Sequence, residues 1–485
     1  MKRFQTKKHI FNFIIALCLA VAISLCSCPA FDVLATDGED YEEETEELSD
    51  EERAAQERKA NIKITCMGKN YPETGSDAIV VMDAATGQVL FDKDAYSRHY
   101  PASITKLMTA YLAVTMGDLD STVTMSYDAV WDTPRDSSHI ALDVDEQLSL
   151  RDALYATLLV SANEAAYAVA EHIGGSLPEF VELMNNTAAG FGCKDTHFAN
   201  ASGLHDDNHY TTAYDMALIV RGALKNDTFR EFTSTKFHEI APTNKNDESR
   251  PLWQDNKLIM EDYDVYYEAC EGGKTGYTDE AQNTLATWAK KGDRELICIV
   301  LYSDVFSNKY KDTTGLYDYF FDYYSYAQPF KDYTFDGEMV TLASDTLCKY
   351  YDCNNAGYMH LEIDKNMKRL LPTSIDKKLL KYDFTPSTDR VDDDIIGTLT
   401  CTYNDAPVAE QPVYFSGFVK SNDEEAVEEA KENETINPAY GVTKKKNHTV
   451  LFIIIGVLVL SVLALTLRYF YVQKVMRDRR RRRRR

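Results

Sequence analysis

The chain has 485 residues, 44% of them apolar and 27% charged, long enough for two or three domains with a sizeable buried core. Its formal charge is −25, but the basic residues crowd the two ends, and residues 36–467 hold 38 basic against 75 acidic side chains, about −37 in all. A field of that sign disfavours polyanionic partners, nucleic acid among them, and names no substrate.

Residues 1–35 have a basic start, an apolar stretch from Ile10 to Leu25 and a small-residue exit at Val33 and Ala35. That is the grammar of a secretory signal peptide, with cleavage expected near Ala35. The "LCSC" ahead of Cys28 is a poor lipoprotein signal, because Cys26 stands where small residues are wanted. Residues 36–61 contain the run "DGEDYEEETEELSDEERAAQE", a charged spacer without apolar periodicity. Order is expected to resume at 62. There "AIVVM" and "QVLF" flank "DAATG", whose Gly87 marks a β-hairpin. "PASITKLMTAYLAV" follows, with Pro101 where a helix start tolerates proline. Helical apolar spacing then runs the length of "LSLRDALYATLLVSANEAAYAVAEHI", and "SLPEFVELMNNTAAGFG" reads as another helix closed by glycine. "NTLATWAKKGDRELICIVLY" reads as two strands joined at the polar turn from Lys291 to Arg294. Strands, a helical middle and strands again predict one α/β domain over 62–326.

Residues 333–418 read as a small β-rich domain, since "GTLTCTYNDAPVAEQPVYF" alternates through Leu399, Cys401 and Tyr403 and turns at Asn404 to Pro407. A charged linker is expected over 419–448. Thr449–Leu467 is an uncharged apolar run of 19 residues, enough to span the membrane as a helix. The basic tail 468–485, ending "RDRRRRRRR", sets the C-terminus in the cytoplasm by the positive-inside rule. Beside such a helix, polyarginine serves topology and anionic lipid rather than nucleic acid. Seven cysteines lie outside the signal segment; Cys348 and Cys353 are the one close pair, a candidate local disulfide, and the rest read as buried small apolar residues.

Three short elements carry chemistry. Ser103 and Lys106 are three apart on a helical face, so a lysine that loses its proton could take the proton of the serine hydroxyl. Alone this pattern is common, but it is followed in order by Ser161-Ala-Asn163 and by Lys274-Thr275-Gly276. Together they are the Ser-x-x-Lys, Ser-x-Asn and Lys-Thr-Gly signature of penicillin-recognising serine enzymes. Over about 62–326, "YPASITKLMTAYLAV", "LLVSANEAAYAVAEHI", the long stretch ending "GLHDDNHYTTAYDMALI" and "GGKTGYTDEAQNTLATWA" resemble the D-alanyl-D-alanine carboxypeptidases of the low-molecular-weight penicillin-binding proteins, serine peptidase family S11.

The resemblance implies a DD-peptidase/β-lactamase-like fold, an antiparallel sheet with helices, followed by a β-rich domain; the transmembrane helix expected at 449–467 is a variation on the amphipathic terminal helix of the family. It implies removal of the terminal D-alanine from a peptidoglycan stem pentapeptide through a Ser103 acyl-enzyme, covalent capture of β-lactam antibiotics, and a site on the extracytoplasmic side of a bacterial plasma membrane. No cofactor or metal is called for. In that reading Lys106 is the base, Ser161 relays a proton towards the leaving amine, and Asn163 orders Lys106 and the substrate amide. The amides of Ser103 and Tyr277 form the oxyanion hole, while Lys274, Thr275 and the more loosely aligned Lys309 of "SNKYK" face the terminal carboxylate beside Gly276. The chain departs from the family pattern at Gly273, where a large apolar residue is common, and at "AQN" in place of an Ala-Gly pair.

Other readings are weaker. His205 and His209 in "HDDNH" have the spacing of a zinc pair but sit among turn formers, so a polar loop is expected. A Ser-His-Asp hydrolase lacks its Gly-x-Ser-x-Gly elbow. Thr212 and Asp215 read as a helix cap. A β-lactamase would share the three elements and add a glutamate; Glu182, with Asn186, is the candidate but lies on an apolar-periodic helix. An idle wall-binding or β-lactam-sensing module usually loses a motif, and none is missing.

Overall fold

The computed structural model describes residues 62–63, 71–336, 351–387, 395–420 and 436–444, with a few positions between 339 and 347. Its centre is a six-stranded antiparallel sheet. In chain order the elements are β1 (Ile62–Lys63), β2 (Ala78–Asp83), β3 (Val89–Lys93), α1 (Lys106–Met116), β4 (Thr122–Thr124), α2 (Tyr127–Trp131), β5 (Gln147–Ser149), α3 (Leu150–Leu159), α4 (Asn163–Gly174), α5 (Leu177–Gly190), α6 (Ala213–Ala223) and α7 (Asp227–Ser234). The hairpin β6 (Phe237–Ile240) and β7 (Arg250–Trp253) leads to β8 (Cys270–Thr278), β9 (Gln282–Lys291), β10 (Arg294–Ser303) and α8 (Asn308–Tyr323). The sheet order is β1-β3-β2-β10-β9-β8, which leaves β8 at an edge.

Period-two alternation sorts this sheet into two faces. Ala78, Val80 and Met82 of β2, with Ile297, Ile299 and Leu301 of β10, share one buried cluster with α1, α3, α4 and α6. Ile79 and Val81, with Leu296, Cys298 and Val300, join a second cluster on the other face, formed with Tyr310, Leu316, Tyr317 and Phe320 of α8. Both faces are covered, so β2 reads as an unbroken apolar run. The second cluster runs on into a β-rich module: β11 (Tyr324–Ala327) pairs with β13 (Arg369–Pro372), and a five-stranded sheet joins β12 (Tyr351–Glu362), β14 (Leu380–Pro386), β15 (Ile395–Tyr403), β16 (Ala406–Lys420) and β17 (Ile436–Lys444).

Local chemistry explains the boundaries. Gly292 adopts φ 67° in the two-residue link between β9 and β10, and Asn404 and Asp405 adopt φ 49° and 66° between β15 and β16. Two positive φ values are what a type I′ hairpin turn needs, and Asn and Asp tolerate them. Ser176 caps α5 by accepting from Glu179 N. Thr212 caps α6 by accepting from Asp215 N, as its spacing predicts, but the Asp215 carboxylate does not close the reciprocal box. It accepts instead from Lys194 N, Asp195 N and Thr196 Oγ1.

Two expectations need correction. The helical spacing through "LLVSANEAA" is not one helix, because Ser161 takes φ 63° and separates α3 from α4. Residues 436–444, expected to be linker, pair as β17 along β12; the charged flanks mask an every-second-residue run of Ile436, Pro438, Tyr440 and Val442. The expected signal peptide, acidic spacer, transmembrane run and basic tail lie outside the described residues, as does Cys348; among the described residues no helix is long and apolar enough to cross a membrane. Cys193, Cys270, Cys298 and Cys401 are free thiols, the last three buried.

Phe320 is 1% exposed and packs its ring against Tyr324 at 4.8 Å. Phe320→Ala should cost about 3–5 kcal/mol of stability, read as a lowered midpoint in urea unfolding, because it empties the layer between α8 and the sheet.

Candidate active site

Ser103 sits in a 310 turn, Ala102–Thr105, that runs straight into α1. The turn is held from three sides. Thr284 Oγ1 donates to Pro101 O at 2.9 Å, Thr105 Oγ1 meets His209 Nε2 at 2.8 Å, and Thr109 Oγ1 donates to Ala201 O at 2.6 Å. Ala102 itself adopts φ 49°, a strained position for a non-glycine residue. The 199–203 loop backs onto it so tightly that a Cβ at Gly203 would lie 1.9 Å from Ala102 O. Only glycine fits there.

Lys106 is fully buried one turn after Ser103. Its Nζ donates to Ser103 Oγ at 3.0 Å, to Asn163 Oδ1 at 2.6 Å and to Ser202 O at 2.6 Å. Burial, and next the nearby Lys274 cation, hold its pKa well below the usual lysine range, against an opposing pull from Glu164. A neutral amine here keeps two N–H donors for Asn163 and Ser202 and turns its lone pair to the serine hydroxyl. That is the geometry of a nucleophile with its base.

Lys274 is buried too, with its pKa pushed down to about 8 by desolvation against the pull of Asp255, and it donates to Thr275 O at 3.0 Å. Ser161 Oγ is buried and has no hydrogen-bond partner among the described residues. Asn163 opens α4. A cleft of about 600 Å3 is lined by Ser103, Ser161, Asn163, Thr275, Gly276, Tyr277 and Lys309, among others. Thus each signature residue of the three serine-enzyme elements, with Tyr277 and Lys309, lines this one cleft, except Lys106 and Lys274, which are fully buried next to residues that do.

Gly276 has a geometric reason. A Cβ there would lie 2.8 Å from Ser103 N and 2.4 Å from Thr284 Oγ1. The edge strand β8 therefore passes directly over the amide of Ser103, and the amide of Tyr277 comes next along it. An edge strand offers backbone donors that no neighbour uses, which is what an oxyanion hole requires. The departures at Gly273 and "AQN" also acquire causes. A Cβ at Gly273 would meet Ala286 O at 2.5 Å. Gln282 turns at φ 51°, and Asn283 accepts from Lys309 Nζ at 3.2 Å while donating to Ser303 O at 2.9 Å.

Lys309, on α8, is brought into the cleft beside Phe306, with Nζ 4.5 Å from that ring centre, and burial together with Lys274 pushes its pKa down to about 8. His209 has both ring nitrogens committed, Nδ1 accepting from Ala199 N at 3.0 Å and Nε2 facing Thr105, and burial drives its pKa down to about 3. It is a structural pin rather than a ligand. Glu182 and Asn186 are exposed on α5 and do not line the cleft. Sequence reasoning missed the Ser202 carbonyl, Asn283, Asp255 and the 136–138 wall. The first is a backbone group that no residue type announces, and the others reach the cleft only through folding.

A family model described as D-alanyl-D-alanine carboxypeptidase, peptidase S11, matches residues 65–304. The chain is 32% identical over 285 residues to D-alanyl-D-alanine carboxypeptidase DacA of Escherichia coli strain K12, covering 56% of this chain and 67% of that protein. The chain belongs to the D-alanyl-D-alanine carboxypeptidase family, S11. It is also 34% identical over 267 residues to DacF of Bacillus subtilis strain 168, covering 53% of this chain and 65% of that protein, so the match spans about two thirds of these relatives' own length. The solved D-alanyl-D-alanine carboxypeptidase DacD of Francisella tularensis shares the fold, with a TM-score of 0.57 at 22% identity over 74% of this chain and 97% of that one. In this S11 chain the close approach at residue 276 should be the most sensitive backbone feature. Gly276→Ala should lower the rate of acylation by a fluorescent penicillin by about a hundredfold or more, the loss expected from one misplaced oxyanion donor, with near-native circular dichroism.

Proposed function

We propose that this chain is a serine-type D-Ala-D-Ala carboxypeptidase that trims the terminal D-alanine from peptidoglycan stem pentapeptides and is acylated by β-lactams. The observation that carries the reading is the buried Lys106 amine 3.0 Å from Ser103 Oγ, at the floor of a cleft whose far wall carries Thr275 and Lys309.

In this mechanism Ser103 Oγ attacks the carbonyl of the penultimate D-alanine as Lys106 takes its proton. The negative charge that develops on the carbonyl oxygen is met by the amides of Ser103 and Tyr277. Ser161, whose hydroxyl is free of protein partners among the described residues, relays the proton that Lys106 took to the departing amine beside Lys274, which leaves Lys106 neutral again. Thr275, Lys274 and Lys309 receive the terminal carboxylate, and Asn163 holds both Lys106 and the substrate amide. Water then attacks the acyl-enzyme, with the same lysine as base. The exposed Glu182 supplies no additional base for rapid hydrolysis of a β-lactam adduct, which favours the carboxypeptidase reading over a β-lactamase.

The full-length chain should release a single alanine from a stem pentapeptide, detected by mass spectrometry, and should be labelled by fluorescent penicillin at Ser103. Ser103→Ala should lose both. Replacing the substrate's terminal carboxylate by an amide should lower kcat/KM by roughly ten- to a hundredfold, the value of one hydrogen bond to a charged group. Equal rates for acid and amide would remove the carboxylate anchor. Full-stoichiometry labelling of the Ser103→Ala chain would overturn the assignment of the nucleophile.

We further infer export through residues 1–35 and a single-pass anchor at 449–467, with the site outside the membrane and the basic tail 468–485 in the cytoplasm. The support is compositional: a short apolar run with a small-residue exit, and a second run of 19 uncharged residues followed by arginines. Deleting 449–485 should move penicillin-labelled protein from the membrane to the soluble fraction; retention in the membrane would point to a second anchor.

A further inference from the structure

Glu164 follows Asn163 on α4, yet no part of the mechanism above uses it. It is 3% exposed, and its two carboxylate oxygens differ. Oε1 accepts from Ile140 N at 2.7 Å and from Leu142 N at 3.5 Å, whereas Oε2 is buried without a hydrogen-bond partner among the described residues. The residue between those two amides, Ala141, adopts φ 56°, a left-handed conformation that a side chain resists. Such a conformation persists only where the surroundings impose it, and Glu164 spans it from both sides. Further ties run from Ala141 N to His139 Nδ1 at 3.1 Å and from Asn163 N to Ser138 O at 2.9 Å. Most residues of 134–141 are exposed. Asp136, Ser137 and Ser138 of this segment line the cleft.

We propose that Glu164 is a positioning residue for the reaction: through its bonds to Ile140 N and Leu142 N it holds the 136–142 segment as one wall of the cleft. Its carboxylate also sits next in sequence to Asn163, whose Oδ1 is 2.6 Å from Lys106 Nζ, so its charge acts on the same base. The inference rests on the reading of Ser103 and Lys106 given above. Two functions are separable in one side chain because they use different properties. The clasp needs an acceptor oxygen, which glutamine also has. The charge needs a carboxylate.

The charged and titratable groups around Lys106 are few. Lys274 of β8 disfavours the ammonium form, Glu164 of α4 favours it, and His209 stays neutral. Around Glu164 itself, Arg135 and His139 line a void of about 10 Å3 that the carboxylate borders, and the Arg135 guanidinium is stacked 4.3 Å over the Trp131 ring. Removing the negative charge at 164 leaves Lys274 unopposed and lowers the pKa of Lys106, so the base form persists to lower pH.

The test is the rate of acylation by fluorescent penicillin from pH 5 to 10, with pentapeptide kinetics in parallel, on the full-length wild-type, Glu164→Gln and Glu164→Ala chains. Glu164→Gln should move the acid limb of the profile to lower pH, with KM within about threefold of wild type. Glu164→Ala should lose the clasp and lower kcat/KM by roughly tenfold or more, mainly through KM, while the glutamine variant recovers most of that loss. The proposal is overturned if both variants keep the wild-type profile and KM. It is overturned equally if both lose activity in proportion to a fall in Tm with the pH profile unmoved, since that describes a residue needed only for folding. A wild-type chain that is neither acylated nor active would instead overturn the reading of Ser103 and Lys106, and this role with it.

Discussion

Burying an amine without surrendering its reactivity is the constraint around which this molecule is arranged. A lysine taken wholly out of water loses the hydration of its charged form, and the interior must either pair it or let it go neutral. At Lys106 both responses operate. Asn163 Oδ1 and Ser202 O receive its N–H groups, the Ser103 hydroxyl faces its lone pair at 3.0 Å, and a second buried lysine, Lys274, disfavours the proton. The partners come from the 310 turn ahead of α1, from the start of α4, from the 199–203 loop and from the edge strand β8, so the lysine is also the point where otherwise separate segments must agree in position.

Much of the surrounding structure serves that agreement. The nucleophile turn accepts a strained Ala102, α4 begins only after a left-handed Ser161, and the wall at 136–142 turns through a left-handed Ala141. Ala102 precedes the cleft-lining Ser103, Ser161 lines the cleft itself and Ala141 lies in the segment whose residues 136–138 line it, and each region is tied by specific bonds: Thr284 to Pro101, Asn163 to Ser138, Glu164 to Ile140. Conformations of this kind cost of order 1–3 kcal/mol apiece and survive because well-packed elements hold them. The two-faced sheet supplies that support, with helices on one side and α8 with the β-rich module on the other.

The glycines tell the same story from the negative side. Gly203 and Gly276 are not there to bend the chain so much as to let two other segments press against the nucleophile turn, one on its carbonyl and one on its amide. A methyl group at either position would push away the wall that the turn depends on. The buried His209, by contrast, works through its ring, holding Thr105 on one nitrogen and the Ala199 amide on the other.

Much of this was legible in the linear chain. The apolar runs of β2 and β10, the alternation in β15, the capped helices, the turn at Asn404 and Asp405 and the three elements around Ser103, Ser161 and Lys274 are local patterns, and local patterns survive being read one window at a time. What the sequence could not determine were the relations between windows. The break at Ser161 hides inside a continuous helical spacing, because a left-handed φ of 63° is not announced by a serine. β17 was obscured by its charged flanks, since pairing with β12 draws on backbone groups that carry no sequence label. The depressed pKa of Lys106, the Ser161 hydroxyl unpartnered among the described residues and the clasp of Glu164 depend on burial and on distances between residues far apart in the chain. Those distances exist only once the sheet and its helices have closed around the amine.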